Sequence, residues 1–134
     1  MPMQNNNPIG ATSEQTKMIE EAVPLHQSGQ LDLAETQYKN FLNYSSNNPS
    51  LLTNLGTIAF QKGRLEDGVR IIEASLKIER NQIIALNNLG TALPGINRLD
   101  ETLASYDCAI ALNPDYAAAY WNKSLLKILM GEYL

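Results

Sequence analysis

Two stretches of the chain, residues 51–60 (LLTNLGTIAF) and residues 85–94 (ALNNLGTALP), share Asn-Leu-Gly-Thr, and their glycines, Gly56 and Gly90, stand 34 positions apart. The same offset joins Leu31, Leu65, Leu99 and Tyr133. It also joins Gly29, Gly63, Asn97 and Gly131, and again Tyr38, Ile72 and Tyr106. A fixed period of this length confines the chain to stacked supersecondary units, none of which buries its apolar face alone.

The residue types in each column say what the unit is. Gly29, Gly63 and Gly131 suit the left-handed backbone that ends a helix, and Asn97 is the best substitute for glycine there. Between these turns lie segments of about 14 residues with apolar residues at helical spacing, such as Leu52, Leu55, Ala59 and Phe60, or Leu65, Val69, Ile72 and Leu76. Each repeat therefore reads as a helical hairpin. Small residues face each other across it, Ala22 with Ala34, Gly56 with Gly68 and Gly90 with Thr102, so the two backbones are expected to approach closely. Pro24 and Pro94 interrupt first helices, where a missing N–H predicts local bends. Gly95 directly after Pro94 predicts that this helix ends early, at Leu93.

Helix–turn–helix units of this length and pattern resemble tetratricopeptide (TPR) repeats. The resemblance runs over residues 14–134, with repeats at about 15–48, 49–82 and 83–116 and a partial one at 117–134. Residues 1–12 read as a flexible leader and 13–134 as the TPR domain, with Thr12-Ser-Glu-Gln supplying a helix cap. The third repeat fits best, at Leu89, Gly90, Tyr106, Ala109 and Pro114. The second departs at Gly68 and Arg80, where the family usually has alanine and proline. The first departs at Glu21 and Ala22, where the usual residues are leucine and glycine. The fold implied is all-α: a right-handed superhelical solenoid of helix-turn-helix hairpins.

Composition narrows the function classes. With 134 residues, 44% apolar and 18% charged, the chain sits in the globular range. A net charge of −4 argues against duplex nucleic acid as a partner, whose affinity rests on Lys and Arg neutralising phosphates. The most apolar run, residues 125–130, is interrupted by Lys127 and falls short of the roughly 20 residues a bilayer span needs, so no membrane partner is expected. The opening MPMQNNNPIG lacks the features of a secretory signal, and a cytoplasmic location is expected. One cysteine and one histidine leave the usual soft-ligand metal sites without ligands, and no metal, cofactor or catalytic residue is expected. Asp100 and Glu101 open a helix, where acids meet the macrodipole favourably. His26 faces the groove, as a ligand contact, as a base or as an ordinary surface histidine. Cys108 falls on an exposed part of a second helix, either incidental or able to join two molecules on oxidation.

In a solenoid of such hairpins the first helices line a concave face, where function belongs. One groove column carries Asn54, Asn88 and Asn122, with Glu20 in the first repeat. Neighbouring columns carry Thr53, Asn87 and Trp121, and Val23, Thr57, Thr91 and Leu125. A side-chain amide offers an acceptor and two donors, so it pairs with the C=O and N–H of an extended peptide without reading its side chains. The column resembles the asparagine ladder of O-linked N-acetylglucosamine transferases, which implies that Asn54, Asn88 and Asn122, flanked by Thr53, Thr57, Asn87 and Thr91, hold a peptide backbone. The plainer reading is that these amides satisfy local polar groups. Relatives that clamp a chaperone's terminal carboxylate use groove Lys and Arg, which are missing here.

The last helix is apolar on more than one face, at Tyr120, Trp121, Leu125, Leu126, Ile128, Leu129 and Met130, with only Tyr133 and Leu134 left to begin a covering helix. This excess is expected to be covered either by further downstream sequence or by another copy of the chain, most simply as a homodimer through Tyr120, Trp121, Leu125, Ile128 and Leu129; the plainer alternative is a frayed helix on a monomer. The overall expectation is a scaffold, not an enzyme, that binds a protein or peptide. Alternatives are the substrate-recruiting amino-terminal arm of a larger transferase and a self-assembly scaffold.

Overall fold

The computed structural model describes residue 13, residues 15–96 and residues 98–131. The leader, Thr12 and Glu14 of the expected cap, the turn residue Asn97, and Tyr133 and Leu134 lie outside the described residues. A π-helical turn, Met18–Ala22, runs into α1 (Val23–Gln27). Then follow α2 (Leu31–Leu42), α3 (Pro49–Gln61), α4 (Leu65–Ile78) and α5 (Ile83–Ala92), the last continuing as a 3₁₀ turn over Leu93–Ile96. The helices α6 (Leu99–Leu112) and α7 (Ala117–Leu129) complete the chain, and no strand occurs among the described residues. The fold is an all-α solenoid of helical hairpins.

The turns explain the period. Gly29, Gly63 and Gly131 sit at φ of 83°, 82° and 74°, the left-handed region that glycine enters without a Cβ clash. Beside the first two, the N–H of Gln30 donates to Leu25 C=O at 2.9 Å and that of Arg64 to Ala59 at 2.8 Å, and one period on Arg98 donates to Leu93 at 3.1 Å. These six-to-one bonds close a Schellman motif and recur at the repeat spacing. The chain re-enters a helix at once. The carbonyls of Gln30, Arg64 and Arg98 accept from Ala34, Gly68 and Thr102. At the other end of the hairpin, Asn48 Oδ1 caps α3 by accepting the Leu51 N–H at 3.1 Å, with Pro49 preorganised in the first turn.

Both interior prolines are absorbed by a change of helix type. Ahead of Pro24 the Val23 N–H donates five residues back, to Met18 C=O, and the widened π turn relieves the crowding a proline ring imposes on the preceding turn. At Pro94 the α-helix ends at Ala92, one residue before the expected Leu93, and tightens into a 3₁₀ turn that keeps Leu93 buried.

The core forms three clusters, each closed by the next hairpin. Tyr38 and Phe41 of α2 meet Leu51, Leu55 and Ile58 of α3. Val69 and Ile72 of α4 meet Ala85 and Leu89 of α5, and Tyr106 and Ala109 of α6 meet Ala119 and Leu126 of α7. Glu21 stands in the column of the buried Leu55 and Leu89 but is exposed, because no described repeat precedes it. Close approach within hairpins requires the small residues. A Cβ on Gly68 would lie 2.4 Å from the Phe60 ring and 2.9 Å from Gly56 O, so alanine does not fit where the family usually has it. A Cβ on Gly90 would lie 2.6 Å from the Tyr106 ring.

Ion pairs bind neighbouring repeats from outside. Glu35 of α2, whose side chain is 13% exposed, accepts from Arg64 at 2.6 Å and Lys62 at 3.1 Å, and Lys39 stands 3.5 Å away. Lys62 also pairs with Asp32. Burial pushes the Glu35 carboxyl up, but the hydrogen bonds from Arg64 and Lys62 and the charge of Lys39 outweigh it and hold the group down at about 2. Arg98 repeats the device, pairing with Glu73 of α4 at 2.8 Å and with Glu101.

Two measurements test this account. Gly90→Val forces a branched side chain into the Tyr106 ring, which is 3% exposed and has nowhere to move, and is expected to cost about 2–3 kcal/mol in urea unfolding. An unchanged midpoint would show that the helices are not in contact there. For Glu35 the folded carboxyl titrates lower than its unfolded value near ~4.3. Its contribution is therefore present above that pH and is lost as pH falls toward 2. Glu35→Gln is expected to lose roughly 1 kcal/mol at pH 6, after discounting for the solvated partners, and to decline less steeply than wild type between pH 5 and pH 2.

Candidate functional site

The first helices of the second and third repeats, α3 and α5, run side by side, and the seam between them holds two notches. One, about 250 Å³, has Asn54, Ser50 and Gln82 on its rim and Ile83, Ile84 and Ala85 on its wall. The other, about 290 Å³, has Asn88, Thr57, Thr91 and Gln61 around Phe60, Leu65 and Ala92. Five of the residues expected in the groove thus gather at this seam, with Thr53 and Asn54 in one notch and Thr57, Asn88 and Thr91 in the other. The helices carry no ionisable side chain, reading PSLLTNLGTIAFQ and IIALNNLGTA.

Hydrogen bonds tie the columns diagonally. Asn88 Nδ2 donates to Thr57 Oγ1 at 3.1 Å, and Thr57 donates to Thr53 C=O at 2.8 Å. Thr91 donates to Asn87 C=O at 2.9 Å and lies 3.4 Å from the Tyr106 hydroxyl, whose burial raises its titration. Asn122 Nδ2 donates to Asn87 Oδ1 at 3.3 Å, so Asn87 and Asn122 form a second polar pair between α5 and α7. The Asn54 side-chain amide has no hydrogen-bond partner among the described residues.

Thr53 lines the same notch as Asn54 but from within the hairpin. It is buried, and its hydroxyl meets Ser75 Oγ at 2.8 Å and Gln82 Oε1 at 2.9 Å. Ser75 donates to Pro49 C=O at 2.7 Å, and Gln82 Nε2 reaches Glu79 C=O at 2.8 Å, which caps the end of α4. Sequence reasoning missed Ser75 and Gln82. Their signal was a serine one period before the core residue Ala109 and one after Phe41.

His26 is a joint between repeats. Its Nε2 is 2.8 Å from Gln61 Oε1, an acceptor, so Nε2 carries the proton and Nδ1 accepts from the Tyr38 hydroxyl at 3.4 Å. The two rings meet edge to face at 5.8 Å. Asp100 and Glu101 lie in the first turn of α6, where Glu101 is held low by Arg98. Cys108 is exposed and borders a recess of about 750 Å³ with Leu76, Ile78, Arg80, Leu86 and Leu112, which the sequence did not indicate. On α7, Ala119 and Leu126 turn inward, whereas Tyr120, Trp121, Leu125, Ile128 and Leu129 are exposed, Trp121 at 71% and Leu129 at 75%. No helix among the described residues is long and apolar enough to cross a membrane.

No family model matches the chain. It is 26% identical over 97 residues to the peroxisomal targeting signal receptor of Saccharomyces cerevisiae, a match over 69% of this chain and 16% of the receptor. The chain thus spans less than a fifth of that relative. Among solved structures, a MamA protein superposes with a TM-score of 0.78 at 26% identity, over 90% of this chain and 66% of its own. The first TPR of Spaghetti (RPAP3), bound to the HSP90 peptide SRMEEVD, gives 0.83 at 18% identity, over 89% and 94%. The O-GlcNAc transferase of Thermobaculum terrenum gives 0.82 at 18% identity, over 93% of this chain and 23% of its own. Together with the 34-residue hairpins, these neighbours show that the fold of this chain is that of a TPR solenoid.

Proposed function

We propose that the chain is a non-catalytic scaffold that holds an extended peptide or protein segment along its concave face, through the backbone, at Asn54, Asn88 and Asn122. The observation that carries the reading is Asn54: a half-buried amide without an internal partner, set in a notch with apolar walls. An amide so placed gains from a ligand that offers both C=O and N–H. Asn88 adds Oδ1 and its second N–H, Thr57 and Thr91 border the same notch, and Asn87 fixes Asn122 beside it. Thr53 borders the Asn54 notch and anchors α3 through its buried hydroxyl. That an RPAP3 domain of the same fold is seen with a peptide bound supports the reading. A cytoplasmic location belongs to it. The fold shared with an O-GlcNAc transferase also fits a recruiting arm of a larger enzyme, and in that setting the same groove would gather substrate.

Replacing Asn54, Asn88 and Asn122 together by alanine is expected to weaken a native ligand by several kcal/mol at most, given about 0.5–1.5 for each net hydrogen bond. Single variants should lose graded parts of this in calorimetry. Equal affinity in the triple variant would sink the groove reading.

The exposed face of α7 favours a second activity, self-association as a two-fold dimer through Tyr120, Trp121, Leu125, Ile128 and Leu129. Sedimentation equilibrium at tens of micromolar is expected to find a dimer that Trp121→Glu with Leu125→Glu dissociates. A wild-type monomer refutes the dimer, and a dimer unaffected by these changes refutes the surface.

A further inference from the structure

The directions of the hydrogen bonds along the α3–α5 seam fix which atoms the groove turns outward. Thr57 and Thr91 each bond a main-chain carbonyl four residues back, and a carbonyl only accepts. Each threonine therefore spends its one hydroxyl hydrogen inward, on its own helix. Thr57 Oγ1 is left with lone pairs, so Asn88 must meet it with its NH2 group, which orients that amide without ambiguity. Thr91 Oγ1 likewise accepts from Tyr106. The notch that holds Asn88 is left neutral and uncharged: the Thr57 and Thr91 oxygens and Asn88 Oδ1 accept, while the second Asn88 N–H and the Gln61 NH2, whose Oε1 is taken by His26, donate. Neither helix supplies a cation, and the asparagine column continues on the first repeat as Glu20, an exposed acid.

From this we infer that the seam selects an extended segment free of Asp and Glu, held by its backbone N–H groups with small aliphatic side chains in the notches, and rejects acidic segments. The inference rests on the groove reading above and adds the ligand's chemistry to it. A carboxylate brought into the Asn88 notch loses water and finds only neutral amide donors, Gln61 and Asn88, with no ammonium or guanidinium to offset the loss. A backbone N–H costs far less to desolvate and meets the threonine and Asn88 oxygens favourably. The apolar walls, Phe60, Leu65 and Ala92 in one notch and Ile83, Ile84 and Ala85 in the other, suit aliphatic side chains. The selectivity is the reverse of what an acidic peptide such as SRMEEVD demands.

The test is an affinity selection of random decapeptides, displayed on their own messenger RNA, on the whole chain at 0.15 M salt. The enriched pool is expected to hold at least fivefold fewer Asp and Glu residues than the input. Asn88→Lys places a cation in the notch and is expected to return acids to the input frequency or above it. Asn43→Lys makes the same change of net charge on an exposed residue outside the seam and is expected to leave the pool acid-poor. A wild-type pool as acidic as the input overturns the inference, as does an Asn88→Lys pool still acid-poor or an Asn43→Lys pool that regains acids. Selected peptides are then measured on Asn54→Ala with Asn88→Ala, whose folding circular dichroism checks. Undiminished affinity there, or an empty selection, overturns the groove reading and the inference with it. Affinity lost in that variant for a pool as acidic as the input leaves the groove reading standing and overturns the selectivity alone.

Discussion

In the second and third hairpins the two helices cross where a glycine leaves no room for a Cβ, and that contact sets everything above it. Gly56 and Gly68 approach so closely that a Cβ on Gly68 would lie 2.9 Å from the Gly56 carbonyl, and Gly90 leaves just the room that the Tyr106 ring fills. Because the backbones close in, Phe60 and Tyr106 spread over the gap and form the surface on which the next first helix lies. Each apolar cluster is completed only by the following repeat, so stability is shared between neighbours and passes along the stack. What remains of each first helix, on the side away from its partner, is the groove.

The second repeat shows how polar groups take over when a family residue is missing. Arg80 stands where proline would stop the helix, and Gln82 instead folds back to Glu79 C=O and Ser75, closing α4 by hydrogen bonds. Ser75 in turn holds Pro49 C=O, the start of α3, so one buried cluster fixes both ends of the hairpin. Such a cluster tolerates burial because every member is paired, and no buried side-chain polar atom among the described residues lacks a partner. Outside, Glu35 and Arg98 fasten each turn to the helix of the repeat before it.

Where the physics repeats with the period, the sequence is transparent. The glycine turns and the close approach of Gly56 to Gly68 depend on backbone geometry, and they stand where their columns place them. Pro94 shifts its helix end by one residue, since a 3₁₀ turn absorbs it. Features that occur once are not legible in this way. Thr53 shares a column with Asn87 and Trp121, but only its own repeat places a serine at position 75, and that hydroxyl draws it inside. Glu35 has no charged counterpart at Val69, so no column announces its partners Lys62 and Arg64. His26 stands in the column of Phe60 and Pro94, and only the fold shows that it bridges Tyr38 and Gln61.

The partition of charge follows from the same architecture. Second helices and turns face solvent on the outside of the stack, where Asp32, Glu35, Lys62, Arg64, Glu73 and Arg98 form ion pairs that join repeats. A charge on α3 or α5 would lie in the seam, half-desolvated and without an opposite charge from its own repeat, and none is present. Stability and recognition therefore draw on different residues in the middle of the chain. The separation is incomplete at one place, because Asn88 both borders the notch and bonds Thr57 of the preceding repeat. A ligand that recruits Asn88 Oδ1 leaves that bond intact, since it uses the other end of the amide, whereas one that needs both amide hydrogens must break it. The groove is in this way biased toward ligands that donate to Asn88 before any of their side chains is read.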